Sequence, residues 1–272
     1  MGTILHTIVD DARPSLEARK RKHPRSVLES MEGSHSDIRP FPAALDRDPI
    51  AVIAELKKRS PSKGTLRDDF DVARIAGAYE KAGAAALSVL TESNHFHGSL
   101  DFLTEARKHT GIPVLRKDFL TDPYELFEAR AFGADAALLI ATLLDRAQLG
   151  ELLHAAREAG ITCLVEVYDP VEPDHIDFDT IDVLGVNNRD LRTFAVDTAR
   201  APSILLNVPG GIKTVAESGL RSGRDLAGLA RVGINAALIG ESFMTHQDPG
   251  AALSRMLEET HRLLKEAEHH ED

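Results

Sequence analysis

The chain has 272 residues, enough to bury a large core in one or two domains, and its 43% hydrophobic and 28% charged residues mark a globular fold rather than a disordered segment. With 43 acidic against 32 basic residues the formal net charge is -11, which leaves no broad basic face for duplex nucleic acid but permits a local positive pocket for a small anion. The single Cys163 excludes an internal disulfide and, inside the apolar run 161–167, reads as a buried thiol; no run of about 18 apolar residues offers a membrane span. The opening Met1-Gly2-Thr3-Ile4 turns polar without the succession of a signal peptide, so a cytoplasmic setting is expected.

Residues 4–32 carry a helical pattern, with Ile4, Ile8, Leu16 and Val27 spaced among many charges, and the basic run Arg19-Lys20-Arg21-Lys22 reads as a solvated helix face. Gly33 to Asp48, with two prolines and short polar residues, reads as a linker. From Pro49 onward, short apolar segments recur at 51–57, 84–90, 112–118, 135–140, 161–167, 182–187, 213–217 and 236–240. Helical stripes lie between them, such as Val72, Ile75, Ala76 and Tyr79, or Leu100, Leu103 and Ala106. Gly83, Gly133, Gly160 and Gly233 stand where those helices should end in a left-handed cap. Ser203 to Asn207 is assigned to a short helix, because Pro209-Gly210-Gly211 would interrupt a strand; strand seven is then Lys213 to Glu217. A last helix is expected over 250–267, with His269-His270-Glu271-Asp272 frayed.

Eight apolar segments alternating with helices predict an α/β fold, a closed (β/α)₈ TIM barrel over 49–272, preceded by an N-terminal helical extension and linker over 1–48, together one structural domain. No G-x-G-x-x-G follows the first strand, which argues against a dinucleotide-binding sheet.

The strand ends carry the chemistry. In Ile53-Ala54-Glu55-Leu56-Lys57 both charges fall on the side of Ile53. In Val114-Leu115-Arg116-Lys117-Asp118, Lys117 shares a side with Leu115 and Arg116 faces the helices; in Leu164-Val165-Glu166-Val167, Glu166 shares a side with Leu164. Glu55, Lys57, Lys117 and Glu166 should then converge inside the barrel mouth, where unpaired burial would be too unfavourable for mere structure. Thr91, Glu92, Asp118, Asn187, Arg189 and Glu217 are further strand-end candidates. Glu217-Ser218-Gly219-Leu220 and Ile239-Gly240-Glu241-Ser242 follow strands seven and eight, where such barrels hold phosphate through backbone N–H groups; Ser60 to Gly64 adds donors from the first loop. Glu241 should offer its amide and turn its carboxylate away. His95 and His97 form an H-x-H pair with no obvious third ligand, so no metal site is expected.

These residues carry a family resemblance over essentially the whole chain. The stretches Ile53-Ala54-Glu55-Leu56-Lys57-Lys58-Arg59-Ser60-Pro61-Ser62-Lys63-Gly64, Phe96-His97-Gly98-Ser99-Leu100, Val114-Leu115-Arg116-Lys117-Asp118-Phe119, Leu164-Val165-Glu166-Val167, Gly185-Val186-Asn187-Asn188-Arg189-Asp190-Leu191 and Ala216-Glu217-Ser218-Gly219-Leu220 resemble the indole-3-glycerol phosphate synthase family in its single-function form. The resemblance implies ring closure, decarboxylation and dehydration of 1-(2-carboxyphenylamino)-1-deoxyribulose 5-phosphate, without a cofactor. It implies Lys117 as general acid, Glu166 at the departing hydroxyl, Lys57 on the substrate carboxylate, Glu55 as orienting group, Asn187 and Glu217 in the polar inner shell, and Arg189 in support. It also implies Phe96 and Phe119 around the aromatic ring, and Ser60, Ser218, Gly219, Gly240 and Glu241 at the phosphate. The partner expectations are the small-molecule substrate, no nucleic acid or membrane, and transient contact with tryptophan synthase or other pathway enzymes. Two other readings stay open on the residues alone: an aldolase using Lys117 as a Schiff-base amine, and a silent barrel that only binds phosphosugars.

Overall fold

The computed structural model describes residues 4–61, 63–170, 172, 176–190 and 193–271; Met1 to Thr3, Ser62 and Leu191 of the quoted segments, and Asp272, lie outside them. Eight parallel strands form a closed barrel: β1 (Ala51–Leu56), β2 (Ala86–Leu90), β3 (Val114–Lys117), β4 (Ala136–Ile140), β5 (Thr162–Val167), β6 (Val183–Asn187), β7 (Lys213–Glu217) and β8 (Ala236–Ile239). Each pairs with its sequence neighbours, and β1 closes the ring on β8 with Ala51 opposite Ala236. The side-chain period of two sends Ile53, Leu115, Leu138, Leu164, Val183, Val215 and Leu238 into the interior and their neighbours, such as Val52, Val165 and Ala237, toward the helices. Strand seven runs from Lys213 to Glu217 as the sequence places it, and the short helix before it, Arg200–Leu205, overlaps the expected Ser203 to Asn207 but starts three residues earlier.

Among the described residues, four helices precede β1: α1 (Ile4–Lys22), α2 (Arg25–Ser30), α3 (Glu32–His35) and α4 (Phe41–Ala44). The outer layer is α5 (Val72–Lys81), α6 (Leu100–Lys108), α7 (Tyr124–Ala131), α8 (Arg146–Ala159), α9 (Arg200–Leu205), α10 (Gly223–Arg231), α11 (Glu241–Met244) and α12 (Pro249–Glu271). In α5 the buried residues are the predicted stripe Val72, Ile75, Ala76 and Tyr79, and the Asp71 carboxylate caps its first turn by accepting from Arg74 N. Gly83, Gly133, Gly160 and Gly233 all take positive φ where helices give way to strands.

Four details depart from the sequence reading. The 33–48 segment is more than a linker: Pro40 and Pro42 set the turn of α4, and Phe41 and Leu45, both fully buried, enter the interior cluster with Ala51, Ile53, Ala136, Val183 and Ala236. They plug the barrel end opposite the charged strand tips. Arginines fasten the approach: Arg130 Nη1 donates to Ser36 Oγ at 3.2 Å, and the fully buried Asp135 accepts from Arg39 N at 2.9 Å and Arg107 Nη1 at 2.7 Å.

The basic run of α1 is solvated only in part. Arg19 Nε reaches Glu128 Oε1 of α7 at 2.8 Å and Lys20 pairs with Asp122, while Arg21 and Lys22 stay exposed. Glu128 also accepts from Arg116 Nη1 at 3.0 Å, so Arg116 does face the helices, 1% exposed, within a ladder of charges. Its Nη2 pairs with Asp118 at 3.1 Å. The β5–β6 connection shows no α-helix among its described residues, which have 3₁₀ geometry at Glu172 and at Phe178–Thr180, in a sequence stretch rich in prolines and aspartates. Finally, α12 continues to Glu271 rather than fraying after residue 267.

Candidate active site

Strand parity assembles the centre. Glu55 projects from β1 on the side of Ile53 and is buried; Lys57 follows one residue past the strand, with Nζ 2.5 Å from Glu55 Oε2. Lys117, the last residue of β3, places Nζ 2.7 Å from Glu166 Oε2 on β5 and 3.2 Å from Glu217 Oε2 on β7. Asn187, ending β6, donates from Nδ2 to Glu166 Oε1 at 3.1 Å. Side chains from β3, β5, β6 and β7 thus form one hydrogen-bonded cluster, with the Glu55–Lys57 pair of β1 lining the same mouth.

The environment pushes these groups apart. Burial alone would lower the Lys117 ammonium, but Glu166, Glu217 and Glu55 outweigh it and hold it charged, above ordinary lysine. Burial works to raise Glu166, yet Lys117 and the amide of Asn187 overcome it, so this carboxyl lies below its usual range. Glu217 goes the other way: burial and the like charge of Glu166 exceed the pull of Lys117 and push it up to about 8. The centre thus sets an ammonium beside one carboxyl biased toward its anion and one biased toward its neutral form, the separation that acid–base chemistry requires.

Two glycines make room for those carboxylates. A Cβ on Gly240 would lie 2.2 Å from Glu55 Oε2, and one on Gly185 would lie 2.4 Å from Glu217 Oε1. Nearby, the chain turns sharply from β7, with Ser218 at φ 68° and Gly219 at φ 80°.

A cavity of about 410 Å³ opens over this centre, and the fourteen residues that the sequence assigns to catalysis or substrate binding line it, with Asp118 beside them: Glu55, Lys57, Ser60, Phe96, Lys117, Phe119, Glu166, Asn187, Arg189, Glu217, Ser218, Gly219, Gly240 and Glu241. The rings of Phe96 and Phe119 stand 5.8 Å apart on one wall. Ser60 Oγ is buried there without a hydrogen-bond partner among the described residues. The Glu241 carboxylate reaches Arg189 Nη2 at 3.5 Å.

Other strand-end candidates serve the frame instead. The Glu92 carboxylate accepts the backbone N–H groups of Asn94, His95 and Phe96 and so shapes the loop that presents Phe96. Thr91 donates to Asp118 at 2.5 Å, on the Arg116 side. His95 Nε2 meets Asp11 at 3.0 Å and His97 Nε2 meets Arg59 at 3.0 Å; among the described residues no three His, Cys, Asp or Glu side chains converge on a metal position. Cys163 is buried, its thiol pushed up to about 12 by burial.

Sequence reasoning missed part of the lining. Ile4, Leu5 and Ile8 of α1 cover the cavity, Leu138 and Ile140 of β4 supply apolar wall, and Lys63, Phe194, Arg221 and His246 stand around it. Ile4 and Ile8 show the spacing of an apolar helix stripe, but which surface they meet is a tertiary fact.

A closed parallel barrel whose mouth gathers lysines, carboxylates of opposed pKa shift and glycine-bearing loops defines a barrel enzyme for acid–base chemistry on a small molecule. Among solved structures, a mutant tryptophan synthase alpha-subunit from Pyrococcus furiosus aligns with TM-score 0.61 at 16% identity over 76% of this chain and 98% of that one. The 3-hexulose-6-phosphate synthase of Salmonella typhimurium gives 0.59 at 14% over 78% and 99%. At those identities they share the fold alone. In sequence, the family described as indole-3-glycerol phosphate synthase matches residues 5–256. Proteins of that name from Salinibacter ruber and Laribacter hongkongensis are 49% and 43% identical, over 93% and 94% of this chain and 95% and 99% of their own. The chain belongs to the indole-3-glycerol phosphate synthase family, and its enzyme class is that of the carboxy-lyases. Among the described residues, no helix is long and apolar enough to cross a membrane.

The tight fit at Gly240 gives a direct test. Gly240→Ala forces the Glu55 carboxylate aside and with it the partner of Lys57, so kcat should fall ~10²-fold, as for a misplacement of about 1 Å. Circular dichroism should stay as in wild type; an alanine variant of normal kcat would mean that Glu55 tolerates displacement.

Proposed function

We propose that this chain closes the indole ring of 1-(2-carboxyphenylamino)-1-deoxyribulose 5-phosphate, releasing carbon dioxide and water to give indole-3-glycerol phosphate. The observation that carries the assignment of roles is Lys117, held as a cation between Glu166 and Glu217 at the cavity floor. Its ammonium protonates the substrate ketone oxygen as the aromatic carbon bearing the carboxylate attacks the carbonyl carbon. The new hydroxyl is then lost as water: Glu166, kept anionic and aimed by Asn187, takes a proton from the neighbouring ring methylene as the double bond forms and passes it to the departing hydroxyl, whose first proton came from Lys117. Lys57 holds the substrate carboxylate until carbon dioxide leaves, and Glu55 fixes Lys57 through their 2.5 Å pair.

The tilted Phe96 and Phe119 rings provide a flat apolar wall for the anthranilate portion. At the opposite end, the loops of Ser218, Gly219, Gly240 and Glu241 offer backbone N–H groups to the phosphate, and the Ser60 hydroxyl, which has no hydrogen-bond partner among the described residues, joins them. With its carboxylate drawn to Arg189, Glu241 presents its amide without placing a like charge on the phosphate. A cytoplasmic setting and transient contact with other enzymes of the pathway belong to the same reading. The assay is fluorescence of indoleglycerol phosphate formed from the carboxyphenylamino substrate; well-folded protein that yields none would sink the assignment, whereas a borohydride-trapped adduct at Lys117 would favour the aldolase chemistry.

The raised Glu217 carboxyl also has a thermodynamic signature. The unfolded chain loses this proton in the ordinary carboxylate range, while the folded protein keeps it up to about 8. The stability it contributes is full below that ordinary range and is lost as pH rises toward 8. Urea midpoints at pH 5, 6.5 and 8 should therefore decline less in Glu217→Gln than in wild type; parallel declines would show that Glu217 titrates normally.

A further inference from the structure

The proposed substrate carries a carboxylate and a phosphate, yet the protein it must approach has a net charge of -11. The cations inside the cavity do little to offset this, because each is answered by an anionic partner: Lys57 by Glu55, Lys117 by Glu166, Arg189 by Glu241. Two cations that line the same cavity differ from these. Lys63 and Arg221 are exposed, and neither side chain has an ion-pair partner among the described residues. Lys63 sits in the turn between two-residue strands at Arg59–Ser60 and Gly64–Thr65, its N–H donating to Ser60 O at 3.4 Å. Arg221 follows the Ser218-Gly219-Leu220 turn, and its backbone N–H is held by Asp225 Oδ2 at 2.8 Å. The backbone of each is fixed while its side chain is left to solvent at the mouth, one on the first loop and one on the seventh.

Resting on the reaction assigned above, we propose that Lys63 and Arg221 are a pair of unpaired cationic guides that draw the anionic substrate, phosphate end first, into an otherwise charge-compensated cavity. Screening decides why two local charges prevail over a much larger opposite total. At physiological ionic strength fields decay over about 8 Å, so acidic residues on remote faces are muted at the mouth, while charges on its rim act at close range. Clefts edged by one sign of charge raise association rates by ~10–10³-fold, and this gain falls steeply with salt. The two residues touch no reacting atom in this account. They set capture rather than chemistry, so their effect belongs in kcat/KM and its salt dependence.

The experiment compares wild type with the double variant Lys63→Gln/Arg221→Gln across a sodium chloride series, following turnover of the carboxyphenylamino substrate. At low salt kcat/KM should fall ~10-fold through KM, with kcat within about twofold. The gap in kcat/KM between wild type and the variant should narrow as salt rises. Lys63→Glu/Arg221→Glu should lower kcat/KM further, and Lys63→Arg/Arg221→Lys should restore it. A matched control, Arg255→Gln/Lys265→Gln on exposed positions of α12 away from the cavity, makes the same change in net charge and should behave as wild type. Unaltered kcat/KM and salt slope in the glutamine pair, an equal loss in the control, or a loss in kcat at constant KM would each overturn the guide role. Absence of turnover in wild type itself would overturn the assigned reaction, and the steering role with it; that failure is read from a different arm.

Discussion

Lys117→Ala should lower kcat by at least ~10²-fold while leaving the fold intact, the usual span for loss of a positioned general acid. The variant removes the one ammonium that touches both Glu166 and Glu217, at 2.7 and 3.2 Å, and leaves two buried carboxyls facing each other without a counter-charge. Without that cation the Glu166 carboxyl is pushed up by burial, so the variant weakens the base as well as removing the acid. Lys117→Arg keeps the charge but replaces a point donor with a planar fork that does not fit between two carboxyl groups arranged for Nζ, and it should recover little activity. Steady-state turnover by product fluorescence checks both. Near-normal kcat in Lys117→Ala would remove Lys117 from the chemistry and move the acid duty to Lys57.

The second large effect concerns stability. Phe41→Ala should destabilise the protein by ~3–5 kcal/mol, the range for deleting a buried aromatic side chain. Phe41 is fully buried and packs with Leu45 against interior residues of β1, β4, β6 and β8, so no solvent-facing shift can fill the void. A urea titration compares the two proteins. A loss below about 1 kcal/mol would mean that the 33–48 segment closes over the gap and that the plug is ornamental to stability.

What the residues disclosed in advance followed from short-range rules. Alternation from Ile53 to Glu55, from Leu115 to Lys117 and from Leu164 to Glu166 sets each charge on the interior side once the strand exists, whatever the rest of the chain does. The glycines that end helices and the proline-glycine run before β7 work the same way, within a few residues. What stayed hidden depends on partners distant in sequence. Phe41 lies among prolines and polar residues, and nothing local says that it enters a barrel. Arg19 looks solvated until α7 is placed against it. That helix is buried from Glu125 through Ala131 with no apolar stripe to announce a side, because its outer face is covered by the N-terminal helices and its acidic residues are consumed by Arg116 and Arg19. The Ile4-Leu5-Ile8 cover of the cavity was obscured for the same reason: helical spacing gives a face, and only the folded barrel supplies what the face meets.

The plug also bears on the order in which the molecule is made. Phe41 and Leu45 leave the ribosome before any strand does, yet the cluster that shelters them includes Ala236 and Leu238 of β8, the last strand synthesised. At ~5–20 residues per second that delay is on the order of ten seconds or more, during which an aromatic ring and a leucine have only part of their final surroundings. The same ring that stabilises the finished protein is an adhesive spot on the nascent one. Its flanking arginines and aspartates, Asp37, Arg39, Asp46 and Arg47, keep that spot dispersed in water until the barrel closes around it.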